Sequence, residues 1–253
     1  MTKSYLEHIA SDAGALAVTV VVPAKDEAQN LPILLDEIEA ALQGRAFEVI
    51  VVDDGSSDGT DIVLQDYAAT HDWLRPVRHE NACGQSCAVR TGLQHARGDV
   101  VATIDGDGEN NPAYIPKLLD ALDAAGPATA LAAGQRLGRK ASLAKRYASK
   151  FANKIRGAIL KDKTRDSGCG LKALRREIFL QLPYFDSWHR FLPALVIREG
   201  FDVVHIDVQD RQRRHGSSKY GIFDRALVGV LDLFGVWWLR RRRKKIPTVR
   251  PLT

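Results

Sequence analysis

The strongest constraint on how this chain folds is a repeated switch of hydrophobic period. Val18 to Val22 ("VTVVV") is a short, unbroken β-branched run, the pattern of a strand buried on both faces. Directly after it, residues 26–42 ("DEAQNLPILLDEIEAAL") place Leu31, Leu34, Leu35, Ile38 and Leu42 on one helical face. "FEVIVVDDGSSDGT" supplies the next strand and its turn, about 30 residues on, which is the length of a βαβ unit. The alternation continues with a weak strand at 74–78, a helix over 86–96, a strand at 99–105 and another at 128–133. It predicts an α/β fold with a mostly parallel sheet flanked by helices, in one main domain, as 253 residues allow. Such sheets bind ligands beyond the carboxyl ends of their strands, and three polar clusters fall there: residues 23–30, 53–60 and 105–111.

The third cluster, "TIDGDGENNP" (103–112), packs three carboxylates and two glycines behind an apolar run. It is not an EF-hand, which needs glycine sixth and glutamate twelfth; counted from Asp105, those positions are Asn110 and Pro116. A helix cap ahead of Pro112 is one option, although a cap needs a single carboxylate or amide. The other is a divalent-cation site, with Asp107 and Glu109 offering hard oxygens to Mg²⁺ or Mn²⁺ and Gly106 and Gly108 permitting close backbone approach.

Charge is unevenly spread. "RRRRKK" (240–245) and Arg250 carry seven positive charges, more than the whole formal excess of +5, so the remainder is near neutral. Such a tail points to an anionic membrane surface touched at one end, or to a solvated solubilising end, rather than to a nucleic-acid-binding face. Residues 134–165 hold eleven Lys or Arg against one acid, and Leu143, Tyr147, Phe151, Ile155 and Ile159 recur there at spacings of four. That is an amphipathic basic helix, facing either the sheet or a membrane.

Residues 226–239 ("ALVGVLDLFGVWWL") form a 14-residue apolar stretch broken by Asp232, shorter than the ~20 a bilayer core requires. Paired tryptophans ahead of six cations suit a helix lying in the interface; packing on the domain is the alternative. Three cysteines without CxxC spacing indicate neither a disulfide framework nor a zinc site, as in a reduced cytoplasm. The N-terminus lacks a long apolar core and reads as neither signal peptide nor anchor.

"VVPAKDEAQN", "VIVVDDGSSDGT" and "DGDGENNP", in this order at successive strand ends, resemble the inverting nucleotide-sugar glycosyltransferases of family 2. More narrowly, the chain resembles their dolichyl-phosphate mannosyltransferase and bacterial polyprenyl-phosphate glycosyltransferase branch, over roughly residues 18–219. The resemblance implies a GT-A type nucleotide-sugar-binding fold over 17–222, an extension at 1–16, and an interfacial amphipathic helix with a basic tail at 223–253. It implies that Pro23 and Glu27 contact the nucleoside, Asp53 and Asp54 recognise base and ribose, Asp105 faces the donor, and Asp107 with Glu109 holds Mg²⁺ or Mn²⁺. Two positions depart from the pattern: Lys25 replaces an expected aromatic, and Glu109 a glutamine ligand.

Downstream, "GQR" (134–136) resembles the family's G-S-R and places Arg136 near the donor diphosphate or the acceptor. "DSGCGLKALRRE" (166–177) resembles its acceptor-loop signature, giving Asp166 and Lys172. "RRHGSSKYG" (213–221) resembles R-x-x-G-x-S-K, giving Arg213, Ser218 and Lys219, with Arg214 adjacent, as candidates to bind the acceptor phosphate.

The implied reaction is metal-dependent, inverting transfer of a sugar from a GDP- or UDP-linked donor to a polyprenyl phosphate, at the cytoplasmic face of a bacterial inner membrane. Asp107, Arg136, Arg213 and Lys219 form its expected centre. A phosphate monoester is already anionic at neutral pH and needs no general base. A hydroxyl acceptor does need one, and in that second reading the base is Asp166. A third reading is a non-catalytic nucleotide-sugar-binding subunit, docked on a membrane complex through the Trp237 region. Members of this branch often append two membrane helices, so an integral-membrane partner or self-association is a further expectation.

Overall fold

A computed structural model of the protein describes residues 17–137, 156–212 and 222–242. In chain order these form β1 (Val18–Ala24), α1 (Leu31–Ala41), β2 (Phe47–Asp53), α2 (Thr60–Ala68), β3 (Leu74–Arg78), α3 (Gln85–His95) and β4 (Val100–Thr103). A 3₁₀ turn (Pro112–Tyr114) leads into α4 (Ile115–Ala124) and β5 (Thr129–Arg136). Then come β6 (Lys172–Arg175), α5 (Arg176–Gln181), α6 (Leu192–Glu199), β7 (Asp202–Val208) and α7 (Ile222–Arg241).

The seven strands make one sheet in the order β3-β2-β1-β4-β6-β5-β7. β1 pairs in parallel with β2 and β4, and β2 with β3, so the carboxyl ends of these four strands open on one edge. The period-2 rule divides their side chains between two cores. Val20 and Val22 pack with Leu31, Leu34, Leu35 and Ile38 of α1 and Leu118 of α4. Val21, Ile50 and Val52 point the other way, onto Val89 and Leu93 of α3 and Leu195 of α6. Each such side chain contributes about 1.5–3 kcal/mol on burial, enough to fix the register of every strand against a one-residue slip.

The expected helix over 26–42 is shorter at its start. Asp26 takes a left-handed φ of 53°, Leu31 N bonds to Glu27 O, and Pro32 occupies the first turn, so residues 26–30 remain a turn at the end of β1. The sheet is mostly parallel, with one exception that the strand pattern did not indicate. β6 inserts antiparallel between β4 and β5, so that β4 and β5 are not neighbours.

Among the described residues, no helix is long and apolar enough to cross a membrane. In α7, Val236 is buried and Leu233, Trp237 and Leu239 pack against the second core, while Val230, Leu231, Phe234 and Trp238 are exposed. Arg198 Nε donates to Leu239 O and holds the helix end to α6. The helix therefore packs on the domain and also shows solvent an apolar stripe, with the Arg241 guanidinium 4.4 Å from the Trp237 ring centroid. The basic helix expected over 143–159 is described only at its end, where residues 156–160 are helical with Arg156 buried and Ile159 exposed; residues 143–155, the extension at 1–16 and most of the basic tail lie outside the described residues.

Candidate active site

The three polar clusters meet at the open sheet edge because β1, β2 and β4 are adjacent and parallel. Each leaves its strand through a tight turn whose carboxylates first organise the backbone. Asp53 is buried; its Oδ1 accepts from Ser56 N (3.0 Å) and its Oδ2 from Arg78 Nη1 (2.6 Å). Asp54 accepts at Oδ1 from Cys83 N and His79 Nδ1, and at Oδ2 from Gly84 N. Burial would raise the Asp54 pKa, but these donors outweigh it and hold the carboxyl below its usual range.

Asp54 thus anchors the 79–84 loop beside the turn and directs both oxygens into the protein. Lys25, in the place of an aromatic, donates from Nζ to the carbonyls of Asp54 (3.1 Å) and Gly55 (3.0 Å). It fastens the β1 turn to the β2 turn. Glu27 accepts from Asn30 at Oε2 (2.6 Å), while its own N–H bonds Thr60 Oγ1.

In the acidic cluster the cap is Asn111, whose side chain accepts from Ala113 N at the opening of the 3₁₀ turn. The acids are therefore not needed as caps. Asp105 lines a small pocket together with Pro23, Gln85, Gly170, Lys172 and His189. Gln85 Nε2 donates to Asp105 Oδ1 (2.8 Å). Burial, and next the charge of Asp107, push Asp105 up to about 6, against the pull of Lys172 and Arg136; Glu109 adds to the upward shift. Asp107 and Glu109 bring oxygen-only donors, the ligand type a hard divalent cation takes, and both add negative charge beside Asp105. Asp107 Oδ1 already shapes the turn by accepting from Glu109 N (3.0 Å).

Lys172 was expected in an acceptor loop. It lies instead in β6, buried, with Nζ bonded to Cys169 O, and burial lowers its pKa. The insertion of β6 beside β4 is what carries this ammonium to Asp105. His189 bonds Ser86 Oγ through Nδ1 (2.7 Å); burial first, then Lys172 and Arg190, bring its pKa down to about 3.

Above pH 6.5 His189 is neutral in both folded and unfolded chains; as pH falls toward 3, only the unfolded chain takes up its proton, so stability is lost. The ring is partly open to the pocket, so the loss at pH 5 should be at most ~2 kcal/mol. Urea unfolding at pH 7.5 and pH 5 is expected to show a smaller acid loss in His189→Gln than in the parent; equal losses would contradict the assignment.

Arg136 ends β5 with its side chain 8% exposed, paired through Nε and Nη2 with Asp166 and through Nη1 with Asp210 (3.4 Å). Asp210 Oδ1 also accepts from Asn110 Nδ2 (3.2 Å), which ties this network to the acidic loop. Next along the chain, Arg211 donates from its N–H to Glu109 O (2.7 Å) and forks onto Glu37 of α1. Asp210, Arg211, Gln85 and His189 were not singled out in the sequence; an acid opening the basic run "DRQRRHG" was the one local signal for Asp210. Arg213, Arg214, Ser218 and Lys219 lie outside the described residues.

A family model described as Glycosyl transferase family 2 matches residues 19–182. Among curated proteins, the dodecaprenyl-phosphate galacturonate synthase of Rhizobium johnstonii is 34% identical over 237 residues, 91% of this chain and 69% of that protein. The undecaprenyl-phosphate 4-deoxy-4-formamido-L-arabinose transferase of Aeromonas hydrophila is 34% identical over 208 residues, 81% of this chain and 63% of its own length. Among solved structures, mannosyl-3-phosphoglycerate synthase from Rubrobacter xylanophilus superposes with a TM-score of 0.71 at 18% identity, over 94% of this chain and 79% of that one. Glucosyl-3-phosphoglycerate synthase from Mycobacterium tuberculosis, in complex with Mn²⁺, UDP and glucosyl-3-phosphoglycerate, gives 0.66 at 21% identity, over 97% and 86%.

Proposed function

The chain belongs to glycosyl transferase family 2 and has its GT-A type fold, and we propose that it moves a sugar, with inversion, from a GDP- or UDP-linked donor to a polyprenyl phosphate. The observation that carries the choice of acceptor is the state of Asp166. Burial alone would raise its pKa, but the Arg136 bonds outweigh it and keep the carboxyl below its usual range. Both its oxygens are engaged, so it is poorly placed to take a proton from a sugar hydroxyl. A lipid phosphate needs no such base, and the curated relatives named above are polyprenyl-phosphate enzymes.

In this reading Pro23, Glu27 and the turn shaped by Asp53 and Asp54 receive the nucleoside, and Asp105 faces the donor from the pocket it lines. Asp107 and Glu109 would hold Mg²⁺ or Mn²⁺, which when bound supplies positive charge to the departing nucleoside diphosphate. Arg136, preorganised by two carboxylates, adds a fixed cation whose reorganisation cost is met in folding rather than in the reaction. Lys172 offsets the charge of Asp105, while Arg213, Arg214, Ser218 and Lys219 grip the acceptor phosphate. The exposed stripe of α7 and the tail after it rest on an anionic membrane surface at the cytoplasmic face.

The test is incubation of the purified chain with a panel of UDP- and GDP-sugars, Mg²⁺ or Mn²⁺, and undecaprenyl phosphate in anionic vesicles. A lipid-linked monosaccharide that disappears with chelator is expected. Failure to form one with any donor would overturn the acceptor assignment. Nucleoside diphosphate released only with a sugar-hydroxyl acceptor would favour the second enzyme reading, and no release under any condition would favour a binding subunit. In the same assay Glu109→Gln should retain turnover with an altered metal requirement, because a neutral amide oxygen still ligates; complete loss would mean that Glu109 has another role.

A further inference from the structure

The cysteines, whose spacing indicates no metal motif, meet a histidine in space. His79 follows β3, Cys83 sits in the loop after it, and Cys87 lies in the first turn of α3. One ligand atom from each falls within 4.8 Å of the other two. Cys83 is exposed and Cys87 partly so, which leaves the cluster open to solvent on one side.

We infer that His79, Cys83 and Cys87 form a binding site for a thiophilic divalent cation of the Zn²⁺ class, separate from the oxygen-donor site at Asp107 and Glu109. Two thiolates and an imidazole are a zinc donor set, with water completing the tetrahedron at the open side. Zn–S bonds of ~2.3 Å put tetrahedral ligands about 3.8 Å apart, so the three donors need draw in by only about an ångström, within the reach of cysteine χ1 rotation.

The imidazole is already held at one nitrogen. Its Nδ1 lies 2.8 Å from Asp54 Oδ1. A carboxylate can only accept, so Nδ1 carries the proton and Nε2 keeps its lone pair, at present shared with the Thr91 hydroxyl at 2.9 Å. A carboxylate behind the histidine is the usual outer partner of a zinc ligand. The backbone is set as well: His79 N bonds Asp53 O, and Cys83 N bonds Asp54 Oδ1. Binding exchanges the two thiol protons for the cation and clamps the 79–87 segment. That segment abuts the β2 turn closely, since a Cβ on Gly55 would lie 2.9 Å from Ala82 N.

The two sites should sort ions by softness: oxygen ligands for Mg²⁺ or Mn²⁺, sulfur and imidazole for Zn²⁺. The experiment titrates the reduced, purified chain with Co²⁺ and follows thiolate-to-cobalt charge-transfer absorption. One equivalent is expected to develop the band, stoichiometric Zn²⁺ to abolish it, and excess Mg²⁺ to leave it unchanged. In Cys83→Ser/Cys87→Ser the band should vanish, and Zn²⁺ should bind roughly tenfold more weakly or worse. A second readout needs no variant: Zn²⁺ should protect Cys83 and Cys87 of the parent chain from alkylation, mapped by mass spectrometry. Absence of the band, its persistence in the double variant, or alkylation of both cysteines at the same rate with and without Zn²⁺ would each overturn the site.

Discussion

Gly170→Ala is expected to reduce sugar transfer by about two orders of magnitude or more while leaving a folded protein. A Cβ built on Gly170 would stand 2.4 to 2.6 Å from three atoms of the Asp105 carboxyl group, far inside contact distance. Backbone retreat at Gly170 is opposed because its carbonyl accepts from Thr103 Oγ1 at 2.6 Å and the chain enters β6 two residues later. The carboxylate is the smaller and freer partner, so it moves, and it leaves the Gln85 amide that fixes it. Displacing a donor-facing group by about 1 Å can cost roughly 10²-fold in rate. Overpacking of this kind destabilises by about 1–3 kcal/mol, which a domain of this size tolerates. Circular dichroism and urea unfolding would establish the fold, and steady-state kinetics the loss; turnover within threefold of the parent would show that Asp105 need not hold its position for the reaction.

The contact between Gly170 and Asp105 also marks where the sequence stopped being sufficient. β1, β2, α1 and α3 were legible because each is dominated by local periodicity: Val20 and Val22 against Leu31 and Leu35 on one face, Val21 and Ile50 against Leu93 on the other. The acids at the strand ends were legible because parallel strands deliver their carboxyl ends to one edge wherever the helices fall. β6 was not. It has four residues, "KALR", with a lysine at its start, and antiparallel insertion between β4 and β5 is a long-range choice with no signature of its own.

Without β6, Lys172 reads as an exposed loop cation, whereas its strand position buries it against the Asp105 pocket. Asp54 shows the converse limit. Its place in a recognisable motif was plain, but the loop at 79–84 that occupies both its oxygens contacts it only through tertiary folding. The cysteine cluster is hidden in the same way, because spacing along the chain does not report that His79 turns its ring between Asp54 and Thr91.

Arg136 is the residue whose removal should do most damage, and the design of its network separates structural from catalytic loss. Arg136→Met leaves Asp166 and Asp210, whose side chains are 20% and 19% exposed, facing one another without their cation. Breaking a buried pair from one side costs about 3–5 kcal/mol, because the partner charge stays desolvated; the partial exposure of both acids argues for the lower end, about 3. Replacing the acids as well, in Arg136→Met/Asp166→Asn/Asp210→Asn, removes the stranded charges and should recover most of that stability, since the three sites are coupled rather than additive. Transfer should not recover. If Arg136 faces the donor diphosphate as proposed, both variants lack a preorganised cation where negative charge develops, a loss of roughly 10²–10³ in kcat by comparison with single oxyanion donors. Chemical denaturation paired with kinetics on the parent, the single and the triple variant would decide between the two roles. Recovery of both stability and turnover in the triple variant would make Arg136 a structural residue that only holds the ends of β5 and β7 together; recovery of stability alone, with turnover kept in an Asp166→Asn control, would place its guanidinium in the reaction.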